Sequence, residues 1–184
     1  MNSKNLDKNM VFLAKKHLYL AKQANYSIPI YDNAGVICGI QEVQEDRNKK
    51  VYGTLKGGFH ILYGSDEALL VCEGFSTGVA LNSVLGIRTL VTFSDGNMLP
   101  AVKSYLLNHK VVNLIFCADN DKWKPWAGNT GVKAANKCVK EFGGKVVAPE
   151  FPSFLNLLRP TDFDDLKKYC GDEVLKNYFK DILK

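Results

Sequence analysis

At 184 residues, with 46% hydrophobic and 23% charged residues, the chain has the size and composition of one globular domain able to bury a core. Its apolar runs are far shorter than the ~20 residues a membrane-spanning helix needs, and the polar stretch Met1–Met10 lacks a following apolar h-region, which predicts no signal peptide, no membrane partner and a cytoplasmic location. Five cysteines (Cys38, Cys72, Cys117, Cys138, Cys170) without a C-x-x-C pair, and three dispersed histidines (His17, His60, His109), argue against a disulfide framework and a zinc site, while a net charge of +5 is compatible with a polyanionic partner.

In chain order, residues 3–24 carry Leu6, Met10, Leu13, His17, Leu18 and Ala21 at helical spacing and predict an amphipathic helix. Ser27–Tyr31 and Val36–Val43 read as strands around the turn Asp32-Asn33-Ala34-Gly35, followed by Val51–Thr54 and Phe59–Tyr63. Residues 1–66 are thus expected to form a helix-plus-hairpin appendage. From residue 68 strand and helix alternate: Ala68–Cys72, Ser76–Leu85, Thr89–Phe93, Leu99–Leu107, Val111–Cys117, Thr130–Phe142 and Lys145–Ala148. That order predicts an α/β core over 67–150, a parallel sheet flanked by helices in the Rossmann-like manner. Residues 149–160, with three prolines, read as a loop, Asp164–Tyr169 as a short helix and Asp172–Leu183 as the last one, so that 151–184 completes the domain. Cys72 and Cys117 lie within apolar strands and read as buried thiols.

Ligands of open parallel sheets sit at the carboxyl ends of the strands. One predicted strand runs into Glu73-Gly74 and another into Ala118-Asp119-Asn120-Asp121. Asp119 and Asp121 are two apart, so in extended backbone their side chains share a side. Acids gathered at one spot raise each other's pKa unless a cation intervenes. Oxygen donors with no His or Cys nearby suit Mg²⁺, with Mn²⁺ as a substitute, and Mg²⁺ commonly joins protein carboxylates to substrate phosphates. Taken singly, the signals are common: E-G after a strand is an ordinary turn, and D-x-D also occurs in glycosyltransferases and phosphatases.

The stretch Val71-Cys72-Glu73-Gly74-Phe75-Ser76-Thr77-Gly78 resembles the E-G signature of Toprim domains. Phe116-Cys117-Ala118-Asp119-Asn120-Asp121, leading to Asn129-Thr130-Gly131-Val132-Lys133, resembles their D-x-D segment and its helix. Ser94-Asp95-Gly96-Asn97 is similar to the G-N turn of plasmid and phage primase-helicases. Upstream, Ile28–Gly35, Gly39-Ile40-Gln41 and Lys56-Gly57-Gly58-Phe59 resemble the segment preceding Toprim in those proteins, and downstream Thr161-Asp162-Phe163-Asp164-Asp165-Leu166 resembles their closing T-D-F-N-D-L.

The resemblance implies a DNA primase-like nucleotidyltransferase of mobile-element replication, making short primers on single-stranded DNA from NTPs or dNTPs. It implies Glu73 as metal ligand or general acid/base, Asp119 and Asp121 as Mg²⁺ ligands, and Asp164 as a further ligand. Lys56, Gly74, Thr77, Asn97, Asn129 and Lys133 are the implied nucleotide- or nucleic-acid-binding positions. For several of these the residues admit a plainer reading. Thr161 or Asp162 followed by Asp164 or Asp165 is also a helix capping box, and Gly74 and Gly78 also fit close strand-to-helix packing. Trp123 and Trp126 are read as stacking on bases or as packing of their own loop. Full-length members add a zinc-binding module and a helicase, which makes a replicative helicase or a separate zinc-binding module an implied partner. Two other activities remain open at this point: a Toprim nuclease, and a non-catalytic module that binds nucleic acid or a replication partner.

Overall fold

The computed structural model describes residues 26–44, 48–123, 126 and 128–183. The helix expected over 3–24 lies outside the described residues.

Strands β1 (Tyr26–Tyr31), β2 (Ile37–Val43) and β3 (Lys49–Gly53) form a small antiparallel sheet in the order β1-β2-β3. The turn between the first two is held by Asp32, whose Oδ1 accepts the Ala34 and Val36 amides at 2.9 Å each. That is the local hydrogen bonding for which Asp suits turns. Ile28, Ile30 and Val43 of this sheet are buried in the same apolar cluster as the main body, so the small sheet is docked rather than tethered.

The second sheet contains β4 (His60–Leu62), β5 (Ser65–Cys72), β6 (Ile87–Val91), β7 (Leu114–Cys117) and β8 (Lys145–Val147), in the order β4-β6-β5-β7-β8. All its pairs are parallel except β4 with β6. The segment 59–63, expected in the appendage, therefore belongs to the main sheet as its antiparallel edge, and a bridge from Tyr31 to Phe59 links the two sheets. The four strands of the core expected over 67–150 are parallel as predicted, and β4 adds an antiparallel edge to them.

Helices α1 (Phe75–Leu85), α4 (Phe163–Cys170) and α5 (Asp172–Phe179) pack together, and α2 (Asp95–Leu106) packs with α3 (Thr130–Phe142). The alternation of β5 sorts the core into two layers. Leu70 and Cys72 join Leu81, Phe163, Leu175 and Phe179, whereas Leu69 and Val71 join Met98, Val102, Tyr105 and Cys138. Cys72 and Cys117 are fully buried, as their apolar surroundings predict.

Boundaries shift where capping overrides periodicity. Helix α2 begins at Asp95 rather than Leu99, because the Ser94 hydroxyl accepts the Asn97 amide at 3.2 Å and Pro100 is tolerated inside the helix. The loop 149–160 contains a 3₁₀ turn over Ser153–Leu158, and the last helix stops at Phe179. Among the described residues no helix is long and apolar enough to cross a membrane.

Candidate active site

The chain passes from β5 to β6 on one side of β5, and then to β7 on the other. That reversal opens a crevice at the carboxyl ends of β5 and β7, the place where doubly wound sheets bind ligands. Glu73 leaves β5 and Asp119 leaves β7 at this crevice, with Cys72 and Cys117 in register just before them. The edge is fastened from β6: Thr92 donates its amide and its hydroxyl to the Cys72 carbonyl at 3.0 and 3.1 Å, and the Phe93 amide donates to the Glu73 carbonyl at 2.8 Å.

Asp119 is the most perturbed acid here. It is partly exposed as a residue, yet its Oδ1 is buried and accepts no hydrogen bond. Burial, then the charges of Asp162, Glu73 and Asp121, push its carboxyl up to about 8, against a smaller opposing pull from Lys49. Of the three acids read from the sequence, Glu73 and Asp121 therefore both act on Asp119, and a fourth acid, Asp162, joins them. Asp162 precedes α4 and arrives from a distant part of the chain. Its Oδ1 accepts the Asp165 amide at 2.8 Å and its Oδ2 the Thr77 hydroxyl at 3.1 Å. Burial raises its pKa, and those two hydrogen bonds oppose the rise. Asp164, expected as the further ligand, instead adds its charge to Asp162 and does not figure among the charges acting on Asp119. Asp165 is spent on the same helix start, its Oδ2 accepting the amide of Thr161, the residue before the N-cap Asp162, at 2.8 Å.

The remaining expected positions divide by exposure. Thr77 is buried and spends its hydroxyl on Asp162, so it positions an acid rather than meeting solvent. Asn97 is likewise buried. Its amide donates to the Gly58 and Thr92 carbonyls at 2.9 and 2.8 Å and its oxygen accepts the Gly57 amide at 2.8 Å, which leaves no N–H for a phosphate. For these two the expected nucleic-acid contact gives way to a structural clamp. Gly74 is the N-cap of α1 in ordinary extended backbone (φ −85°), and a Cβ there would press on the Thr77 hydroxyl at 3.2 Å. At Gly78 a Cβ would stand 2.7 Å from Val91 Cγ2, so this glycine serves close helix-to-strand packing. Asn129, in the left-handed region, accepts the Asp121 and Val132 amides and donates to Asn120 Oδ1 at 3.1 Å. It shapes the loop after the acids. Lys56 and Lys133 are exposed. Trp123 donates to the Pro160 carbonyl at 2.9 Å, whereas Trp126 is 84% exposed, so the first is tied to its own domain and the second is not.

Lys49 on β3, which sequence reading passed over as one lysine of many, is the cation whose field reaches Asp119. No signal in the sequence marks it, since only the docking of the small sheet brings it near.

Among the described residues no three acidic, histidine or cysteine side chains converge tightly enough to make a ready metal cage. Mg²⁺ does not require one, as it binds through one or two carboxylates plus water and substrate phosphate. The donor set fits that ion: all-oxygen, crowded with negative charge, and with an orphaned buried carboxylate oxygen at Asp119.

No protein-family model matches the chain. Solved structures do match. The primase fragment of the bacteriophage T7 primase-helicase protein superposes with a TM-score of 0.60 at 17% identity, over 83% of this chain and 61% of that one. The DnaG primase catalytic domain bound to single-stranded DNA matches with a TM-score of 0.57 at 19% identity, over 84% and 50%. The zinc-binding and RNA polymerase domains of the Aquifex aeolicus primase match with a TM-score of 0.56 at 21% identity, over 84% and 39%. This chain thus spans less than two thirds of each of these three, and what it shares with them is the α/β fold of DNA primase catalytic domains.

Proposed function

We propose that this chain is a Toprim-type nucleotidyl-transfer domain that works with Mg²⁺, or Mn²⁺ in its place, to join NTPs or dNTPs on a single-stranded DNA template. The observation that carries the reading is the convergence of Glu73, Asp121 and Asp162 on Asp119, whose Oδ1 is buried without a partner, at the crevice of a primase-like fold. Asp119 and Asp121 are the residues that would hold the metal, with Asp162 beside them. The ion, when bound, supplies Lewis-acid stabilisation of the phosphoryl oxygens and a more acidic 3′-hydroxyl. Glu73 would bind metal or take up the hydroxyl proton, and its backbone is fixed by Phe93. Thr77 holds the Asp162 carboxylate in place. Lys49 offers positive charge for a triphosphate, and Lys56 a further contact to nucleotide or template. A helicase and a separate zinc-binding module are the partners this reading implies.

Titration of the metal-free protein with Mg²⁺, followed by calorimetry, tests the metal assignment apart from turnover, and pyrophosphate release with template and NTPs tests the chemistry. Glu73→Gln is expected to stay folded and to lose at least about a hundredfold in pyrophosphate release, the scale of a general acid/base. Full activity in Glu73→Gln rejects its role. Template cutting without pyrophosphate release transfers the site to a nuclease, and metal binding without either reaction to a binding module.

A further inference from the structure

Between α2 and α3 lies an open cleft of about 390 Å³. Its floor is apolar, made by Leu99, Pro100 and Ala134, and Lys133 and Lys137 line it from α3. These lysines are one helical turn apart, which sets their side chains next to each other on one face. Both are exposed, and neither forms an ion pair among the described residues. Asp95 stands on the opposite wall, its carboxylate accepting the Gly96 amide at 2.6 Å.

The cleft adjoins the acid centre through the starts of both its helices. The start of α3 lies against Asp119, since a Cβ on Gly131 would be 3.0 Å from the Asp119 carbonyl oxygen. The Lys133 ammonium lies over Gly128, in the loop that follows Asp121. On the other wall, α2 follows directly on Thr92 and Phe93, which are bonded to the Cys72 and Glu73 carbonyls.

From this placement we infer that the cleft between α2 and α3 is the track of single-stranded DNA to or from the acid centre, with successive phosphates against Lys133 and Lys137. Point charges at a helical-turn spacing above an apolar floor are the elements of a backbone-tracking groove. Asp95 repels phosphate from its own wall, so the strand lies with its phosphates toward α3 and its sugars or bases over Leu99 and Pro100. The assignment rests on the proposed function, because it names the path of that activity's template, but it is measured by binding alone.

Fluorescence anisotropy of a labelled oligo(dT) at low salt, titrated with the full chain, gives the test. The Lys133→Glu/Lys137→Glu double variant is expected to bind roughly tenfold more weakly, the scale of losing two solvent-exposed ion pairs. Its log K against log salt slope should be shallower by about 1.4, two released counterions on a single strand. The Lys133→Arg/Lys137→Arg pair should retain binding, and Lys180→Glu, a charge reversal just past the end of α5, should leave it unchanged. Lys133→Ala and Lys137→Ala, each alone, carry the same test in part should the double reversal disturb thermal unfolding. Unchanged affinity and slope in the double variant overturns the inference, as does an equal loss in Lys180→Glu. Loss of ATP binding with intact oligonucleotide binding also overturns it. Asp119→Asn binding DNA normally while yielding no product would leave the track standing and bear only on the catalytic reading.

Discussion

A carboxylate with one oxygen sealed from water and three acids around it is a costly group to ionise, and Asp119 is in that position. An unfolded aspartate titrates near 3.9, whereas burial and its neighbours push Asp119 up to about 8 in the folded chain. Between roughly pH 4 and pH 8 the folded state therefore binds more protons than the unfolded one, so metal-free stability should fall as pH rises through that window. Thermal unfolding without metal is expected to show this decline, and Asp119→Asn to flatten it and to be the more stable protein near pH 8 by about 1–3 kcal/mol. Equal pH slopes in the two proteins would contradict the crowding of Asp119. Mg²⁺ should restore stability to the wild type near pH 8, with release of protons on binding, and should do so less in Asp119→Asn. Asp119 and Glu73 were legible because strand ends are where α/β sheets place chemistry. Asp162 was not, because Asp followed three residues later by Asp before an apolar run is already explained by capping, and its bond to Thr77 joins residues 85 positions apart.

At the level of elements, Asp162 carries two separable duties, as cap of α4 and as charge beside Asp119. Asparagine caps as well as aspartate. Asp162→Asn should therefore leave stability within about 0.5 kcal/mol while lowering Mg²⁺ affinity, and Asp162→Ala should in addition lose about 1 kcal/mol of stability. Denaturant unfolding of both variants beside Mg²⁺ titration separates the duties, and equal destabilisation by Asn and Ala would show that the charge rather than the cap is what α4 needs. Asn97 offers a contrasting case. Its three hydrogen bonds tie the 57–58 loop to the start of α2 and to Thr92, far from any role as a ligand. Asn97→Ala is expected to cost about 2–3 kcal/mol by leaving buried backbone groups unpaired, with metal affinity retained. The G-N turn was visible in the sequence, but whether its amide faces inward is decided by the neighbouring loop. Helix α3 was legible in full, since Asn129 and Gly143 bracket one periodic run. By contrast β4 is three residues long, and nothing in His60–Leu62 announces that its partner is β6.

For the molecule as a whole, strand and helix alternation revealed the layered sheet, while the seating of the small sheet on it was hidden. That seating is a tertiary event: Ile28, Ile30 and Val43 enter the main core, and Lys49 is carried toward the acids with them. The result is a sheet edge where Glu73, Asp121, Asp162 and Lys49 act on Asp119, the five residues coming from four separate stretches of sequence. The most direct measurement of whether that edge is a nucleotidyl-transfer site is primer synthesis on single-stranded DNA with labelled NTPs or dNTPs. Wild type and Asp119→Asn would be run side by side, with and without Mg²⁺. Short labelled products that require both Mg²⁺ and the Asp119 carboxylate are the predicted result, with a loss of at least about a hundredfold in the variant. Products of equal yield from Asp119→Asn, or from the wild type with its divalent ions chelated, would contradict the account.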